Sequence, residues 1–408
     1  MLRVVTHMTI TQRANAGFTD RKKVILMEFV ASYNWESKWM DLTDRGKITI
    51  PRKLYTVDQY NQAIPLTGSL ANIGGFTEGT NPLFMRGDKV TLSSGYQYRT
   101  ADGTWITQVS GTDGVPKTIE GYISKVYAKT PIEFDVEDNM WILKQTALSN
   151  KTFTATDTLE NILKYIVNTA NTQHGTTLTY SALTKTNFGQ FLVQNETAAQ
   201  LLSRLKKLYG FHSYFRGDEL RCGILIYNIA DMQKHVFIMN GPEGNVCDGG
   251  QDLEYQRKDD IVLSARAYNT VESSSGTCKD GTPKTKKERI EILATIDKDV
   301  AGYKVITKGE QVAEAQEGER RTFFYPGAKT VAELADLAIA ELQKYYYTGL
   351  KGKFMSFGIP YVRHGDHVEL RNPENPEQDG VYKVKGVEYT GAPANGLKQL
   401  IELDFRII

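Results

Sequence analysis

Three side chains stand close enough in sequence to share a metal ion: His364, Asp366 and His367, grouped around Gly365. Two imidazoles and a carboxylate are ligands of the zinc type, and a tight turn can bring them to one point. Alternation along a strand argues against it, because it sends His364 and Asp366 to one face and His367 to the other. A second copy of the same turn carries Arg86 and Lys89 at the matching positions, where no metal ligand is available. Arg86-Gly87-Asp88 spells a cell-adhesion tripeptide, yet the other copy keeps the turn and replaces Arg by His, so it reads as turn chemistry. The run Tyr345-Tyr346-Tyr347 has the composition of a base-stacking platform. At the end of an amphipathic helix it is expected instead to pack on the adjoining sheet.

The remaining chemistry is sparse. The sequence contains no GxxxxGK[ST], GxSxG or HExxH and no strand-linked GxGxxG, which removes the stronger signals for nucleotide and hydrolase sites. A pair of glycosidase carboxylates has no fixed spacing, so 48 acidic residues always furnish candidates for one. Cys222, Cys247 and Cys278 form no CxxC pair and are expected as buried or free thiols. The expectation is therefore no catalytic residue, no metal ligand and no cofactor. A balance of 49 Lys+Arg against 48 Asp+Glu argues against a protein whose task is gripping nucleic acid, since phosphate binding needs clustered cationic excess. Met1 to Ile10 is too short and polar for a signal-peptide core, and no run reaches the roughly 20 apolar residues of a membrane span. Synthesis and folding in the cytoplasm, without stable membrane insertion, are the expectation.

The elements that must position these residues are mostly strands. From Lys23 to about Glu137, short alternating segments are separated by Gly, Asp, Asn and Pro, the pattern of an antiparallel barrel or sandwich, of which the edge-free barrel is the expectation. After Asn150 the period becomes helical. Leu159, Ile162, Leu163, Ile166, Val167 and Ala170 share one face, with Asp157 and Glu160 as a capping box. Ala198, Leu201, Leu202, Leu205 and Leu208 share another, capped by Thr197 with Gln200 and stopped by Gly210. Phe211 to Phe215 and Leu220 to Ile226 read as a hairpin. The β pattern then returns, broken by the hydrophilic, cationic segment Ser273 to Arg289, expected as a mobile surface loop. A long helix starts at Thr330 with Glu333 as its box partner, turns Leu334, Leu337, Ala338, Leu342 and Tyr345 inward and stops at Gly349. The expected organisation is mainly β with an α+β insert: residues 1–150 a first small β-barrel completed by about 232–255, residues 151–231 the insert, and residues 256–408 a second barrel carrying the helix 330–348.

An internal repeat underlies the two barrels. Arg86-Gly-Asp-Lys-Val-Thr-Leu92 recurs as His364-Gly-Asp-His-Val-Glu-Leu370; Glu120 to Val126 then corresponds to Asp379 to Val387, and Pro131 to Val136 to Leu400 to Phe405. Each copy reads as turn, strand, loop, strand, loop, strand, the first with an extra loop from Tyr98 to Lys117. Glycine supplies a positive φ at the turn and aspartate folds its carboxylate onto nearby N–H groups. This predicts that Asp88 and Asp366 occupy equivalent turns.

The succession GDKVTL, EGYISKV and PIEFDVEDNMWILKQ, with Glu137, Asp138, Met140, Trp141, Ile142 and Leu143 at its end, resembles the first barrel of phage tail baseplate hub proteins. ETAAQLLSRLKKLYGFHSYFRGDEL resembles that family's inserted module, and AELADLAIAELQKYYYTGLKGKF with YVRHGDHVEL and DGVYKVKGVEY its second barrel. The similarity runs from about Thr11 to the end. It is to hubs of the late control protein D type and, more distantly, to the hub portion of type VI secretion spike proteins. The resemblance implies a non-enzymatic homotrimer in the tail baseplate of a virion, whose six barrels adapt a sixfold tail tube to a threefold central spike around a channel. Its implied partners are the tail tube protein, a separate spike protein (the sequence ends with the second barrel), the tape-measure protein and other baseplate proteins, with DNA or effectors only as passing cargo. A tail-associated glycan-degrading enzyme or a receptor-binding adhesin is the competing reading.

Overall fold

The computed structural model describes residues 2–407 except 16, 52–54, 58–62, 66–76, 79–80, 112–116, 128–130, 155, 185–190, 224–232, 258–261, 278–282, 298–300, 306–318, 326–327 and 329. Cys278 and the end of the second hairpin strand, up to Ile226, lie outside the described residues. The first repeat comprises β1 (Leu2–Thr11), β2 (Val24–Met27), β3 (Ser32–Lys38), β4 (Arg45–Thr49), two short hairpins, β5 (Tyr55–Val57) with β6 (Ala63–Pro65) and β7 (Thr77–Glu78) with β8 (Asn81–Pro82), and then β9 (Lys89–Arg99), β10 (Trp105–Val109), β11 (Ile119–Tyr127) and β12 (Glu133–Glu137). Alternation sets the faces: in β12, Phe134 and Val136 are buried while the acidic residues between them lie nearer the surface.

The insert follows as α1 (Met140–Gln145), β13 (Lys151–Phe153), α2 (Leu159–His174), β14 (Thr179–Ala182), β15 (Phe191–Val193), α3 (Ala198–Tyr209), β16 (His212–Arg216) and β17 (Glu219–Gly223). All six apolar residues predicted for the inner face of α2 are buried. Its cap differs from expectation. Thr158 is the N-cap, and Asp157, one residue too early, turns its carboxylate back to the Thr154 N–H at 2.7 Å and to the Asn161 amide at 2.9 Å. On α3 the Thr197–Gln200 box forms and Gly210 takes φ +70°, but Leu208 is exposed.

The rest of the chain gives β18 (Lys234–Ile238), β19 (Leu253–Gln256), β20 (Leu263–Thr277), β21 (Pro283–Ile296), β22 (Ala301–Val305), β23 (Glu319–Phe324), α4 (Val331–Gln343), β24 (Gly349–Phe357), β25 (His367–Arg371), β26 (Gly380–Ala392) and β27 (Gly396–Arg406). The Thr330–Glu333 box opens α4, which ends at Gln343 rather than near Gly349. Tyr345 and Tyr346 pack against the core beneath α4, and the Arg321 guanidinium lies 3.7 Å from the Tyr345 ring centre. Among the described residues no helix is long and apolar enough to cross a membrane.

The chain is mainly β with an α+β insert, and its strands pair in a way the local pattern does not reveal. One 14-stranded sheet runs β19-β24-β27-β26-β3-β4-β12-β11-β9-β1-β2, with β10 beside β9 and β18-β25 attached to β26. It joins both repeats over one continuous core, in which Ile48, Val90 and Phe134 of the first share a cluster with Phe354, Val368 and Ile401 of the second. The described pairings form an open path and close neither repeat into a barrel.

Three expectations are corrected by the pairings. Residues expected to complete the first β region join the second: β18 pairs in parallel with β25, and β19 antiparallel with β24. The segment Ser273 to Arg289 is not a loop. Outside residues 278–282 it forms the far arms of β20 and β21, in register from Val271 opposite Glu288 to Ser274 opposite Thr285. A hydrophilic sequence cannot add to a core, but paired strands satisfy their own backbone groups without one. Finally, β20 to β23 form a separate four-stranded sheet covered by α4, with its own core of Leu263, Ala265, Ile292, Leu334 and Leu342.

Candidate functional site

The two Gly-Asp turns are superimposable in their bonding. Gly87 and Gly365 have φ of +92° and +83°. The Gly87 N–H donates to the Ile123 carbonyl at 2.8 Å, and the Ile123 N–H returns a bond to the Asp88 carbonyl at 2.9 Å. Gly365 and Asp366 make the same two bonds with Val384, at 2.8 and 2.9 Å. One residue beyond each lies a bulge, between Ile123 and Lys125 and between Val384 and Gly386. Each carboxylate accepts the N–H three residues earlier, Met85 for Asp88 at 2.8 Å and Arg363 for Asp366 at 2.9 Å. The turns are equivalent, as the repeat predicts. The third sequence match is displaced by two residues, since Val136 opposes Ile123 as Leu403 opposes Val384. A two-residue shift keeps every side chain on its own face, so the hydrophobic pattern alone could not detect it.

What each carboxylate binds beyond its turn distinguishes the repeats. Asp88 holds the Arg21 guanidinium through two bonds of 2.7 and 2.6 Å, with both side chains fully buried. Asp366 reaches out of its repeat to Arg216 on β16, at 2.8 Å, and to His235 on β18, at 3.3 Å. Burial alone would raise the Asp366 pKa; the bonds from His235 and Arg216 outweigh it and hold the carboxyl below its ordinary value. The second turn thereby ties the insert to the sheet.

The repeats meet where β3 pairs antiparallel with β26, from Tyr33 opposite Gly391 to Lys38 opposite Gly386. Behind this ladder lies a buried polar cluster. The Ser37 hydroxyl donates to Asp44 at 2.6 Å and sits 2.6 Å from His364 Nδ1, and the His364 ring meets Tyr214 edge-on at 4.9 Å. Burial, with Arg363 and Arg216 nearby, lowers the His364 pKa to about 3, so the ring is neutral. Burial raises Asp44 to about 7, and burial together with Asp44 raises Asp138 well above the carboxylate range. A cavity of about 290 Å³ opens beside the cluster, lined by Trp35, Asp44, Asp138, Tyr361 and Arg363 among others. Serine, histidine and aspartate at these distances invite comparison with a hydrolase triad. Here the serine stands between Asp44 and His364 Nδ1, whereas in a triad the histidine stands between the other two. The arrangement locks the junction.

The structure separates the three side chains singled out as candidate ligands. His364 faces the junction, Asp366 faces Arg216, and His367 is half-buried elsewhere on β25. Among the described residues no group of three His, Cys, Asp or Glu side chains is placed to share an ion. Sequence reading missed Arg21, Arg216, Ser37 and Asp44. Arg21 sits in a Thr-Asp-Arg-Lys-Lys run that looks solvated, and nothing local marks it as the buried partner of a residue 67 positions away.

No family model and no curated protein matches the sequence. Solved structures do. A tail protein from Neisseria meningitidis MC58 is similar over 100% of this chain and 96% of its own, at 12% identity and a TM-score of 0.54. The prophage MuSo2 43 kDa tail protein from Shewanella oneidensis is similar over 99% and 98%, at 12% identity and a TM-score of 0.50. At such identity the likeness speaks to fold, and the chain therefore has, along its whole length, the fold of these phage-type tail proteins.

Proposed function

We propose that this protein is a structural component of a phage-type tail, the baseplate hub: three copies form a ring that adapts a sixfold tail tube to a threefold central spike. The observation that carries the reading is the junction of β3 with β26, by which two copies of one turn-and-sheet unit continue each other edge to edge. Duplicated units let three chains present six related surfaces, and a head-to-tail contact that repeats is what closes a ring. The fold shared with two tail proteins supports the same role. Tube and spike proteins are the partners, the tape-measure protein and other baseplate proteins are neighbours, and DNA or effectors pass through without being held. The buried polar groups serve as ties between modules, and no turnover is assigned to them.

The test is the mass of the purified chain against concentration, with averaged images of the particles. A trimer with an axial opening is expected. A stable dimer, or compact particles with no opening, would contradict the proposal.

A further inference from the structure

The junction within the chain has a counterpart that the chain itself leaves open. In the first repeat, Gly46 of β4 lies opposite Trp35 of β3, and Lys47 lies opposite Asp135 of β12. In the second, Gly352 of β24 lies opposite Leu253 of β19, and Lys353 lies opposite Glu402 of β27. A Cβ at Gly46 would strike the Asn34 carbonyl oxygen, and one at Gly352 the Asp252 carbonyl oxygen. β19 is thus the equivalent of β3, with Glu254 standing where β3 has Glu36. On the other side of the contact, the bulges equate Lys125 with Gly386 and Val126 with Val387.

β3 uses its outer edge to pair with β26. β19 ends the sheet, and among the described residues no strand lies on its outer edge or along Lys125 and Val126 of β11. An open edge is a row of unpaired N–H and C=O groups and a template for another strand. Among the described residues one chain therefore leaves one edge of each kind open, a β19 and a β11.

We infer that β19 of one copy adds antiparallel to β11 of the next, repeating between chains the pairing that β3 and β26 make within one. This rests on the ring reading above and names its contact. Carrying over the register of β3 with β26, in which Lys38, Ser37 and Glu36 oppose Gly386, Val387 and Glu388, places Gln256 opposite Lys125, Tyr255 opposite Val126 and Glu254 opposite Tyr127. Tyr255, exposed in the single chain, then covers half-buried Val126. On the other face Glu254 and Lys125, both exposed, become diagonal neighbours of opposite charge. The contact is head-to-tail, so it closes into a ring instead of stopping at two copies.

Disulfide trapping tests it. In a background with Cys247→Ser and Cys278→Ser, keeping buried Cys222, Tyr255→Cys combined with Val126→Cys is oxidised mildly at concentrations spanning monomer to assembly. Glu254→Cys with Val126→Cys, whose side chains would point to opposite faces, is the register control. The expected result is a covalent product that stops at three chains for the first pair and less than a tenth as much for the control. Trimers by mass that fail to cross-link, or cross-link equally in both pairs, overturn the pairing and leave the ring standing. A chain that stays monomeric and uncross-linked at millimolar concentration overturns both. Covalent dimers without trimers overturn the head-to-tail geometry.

Discussion

Replacing Asp88 by Ala should be among the most damaging single changes in the first repeat, and the structure shows why. Arg21 uses all five of its donors: Nε to the Pro82 carbonyl, one terminal nitrogen to the Arg13 carbonyl and Asp88, the other to the Leu83 carbonyl and Asp88. Asp88 in turn accepts two of those N–H groups and the backbone N–H groups of Met85 and Arg13. Truncation leaves a fully buried cation without its anion and four donors without an acceptor. Breaking such a pair from one side costs about 3–5 kcal/mol, about a fifth or more of a typical domain's stability of roughly 5–15 kcal/mol. At a urea slope of about 2–3 kcal/mol/M this moves the unfolding midpoint by about 1–2.5 M. Arg21→Met should cost a similar amount. The double variant Arg21→Met with Asp88→Asn should lose clearly less than the two single losses added, because neither charge is then stranded. Urea unfolding, with amide exchange of Gly87 and Ile123 as the local probe, measures this. A loss below about 1 kcal/mol for Asp88→Ala, or strict additivity, would refute the claim that the buried pair holds the turn.

Two carboxyls should give opposite pH signatures. Asp366 is held below its ordinary value, so its contribution is present above the unfolded pKa of about 3.9 and fades as pH falls through the lower folded value; the deficit of Asp366→Asn, clear at pH 7, should shrink in strong acid. Asp44 is raised to about 7, so the folded protein binds its proton more tightly and stability falls as pH rises from about 4 to 7. Asp44→Asn should flatten that slope and leave the variant no less stable than the parent at pH 8, as read by thermal unfolding against pH. Gly352→Ala, with φ at +124° and a Cβ striking the Asp252 carbonyl, should release β19 from β24 and speed amide exchange at Leu253 to Gln256 while leaving the β3–β4 hairpin protected.

The parts of this fold that a local rule controls could be read from sequence. The boxes on α3 and α4 need only residues three apart, and the Gly-Asp turns need a positive φ with a carboxylate beside it, so both were predictable. The cap of α2 fails by one residue because Asp157 has a competing acceptor role toward Thr154. Ser273 to Arg289 misleads because hydrophilic composition tests for a core, whereas β20 and β21 continue past theirs as a paired ladder. Sheet membership was hidden altogether. Alternation says that Lys234 to Ile238 is a strand, but its parallel pairing with β25 depends on chain more than a hundred residues away. The same nonlocality conceals Arg21 and Arg216, whose roles exist only once the turns at Asp88 and Asp366 are in place.

The proposed hub requires a ring of three copies on the tail axis. Electron cryomicroscopy of intact tail particles, reconstructed with threefold symmetry imposed only below the tube, tests it most directly. Three copies are expected between tube and tip, each contributing two related β units to a six-lobed annulus with an open centre. Six copies of the chain, or density for it at the periphery away from the axis, would contradict it.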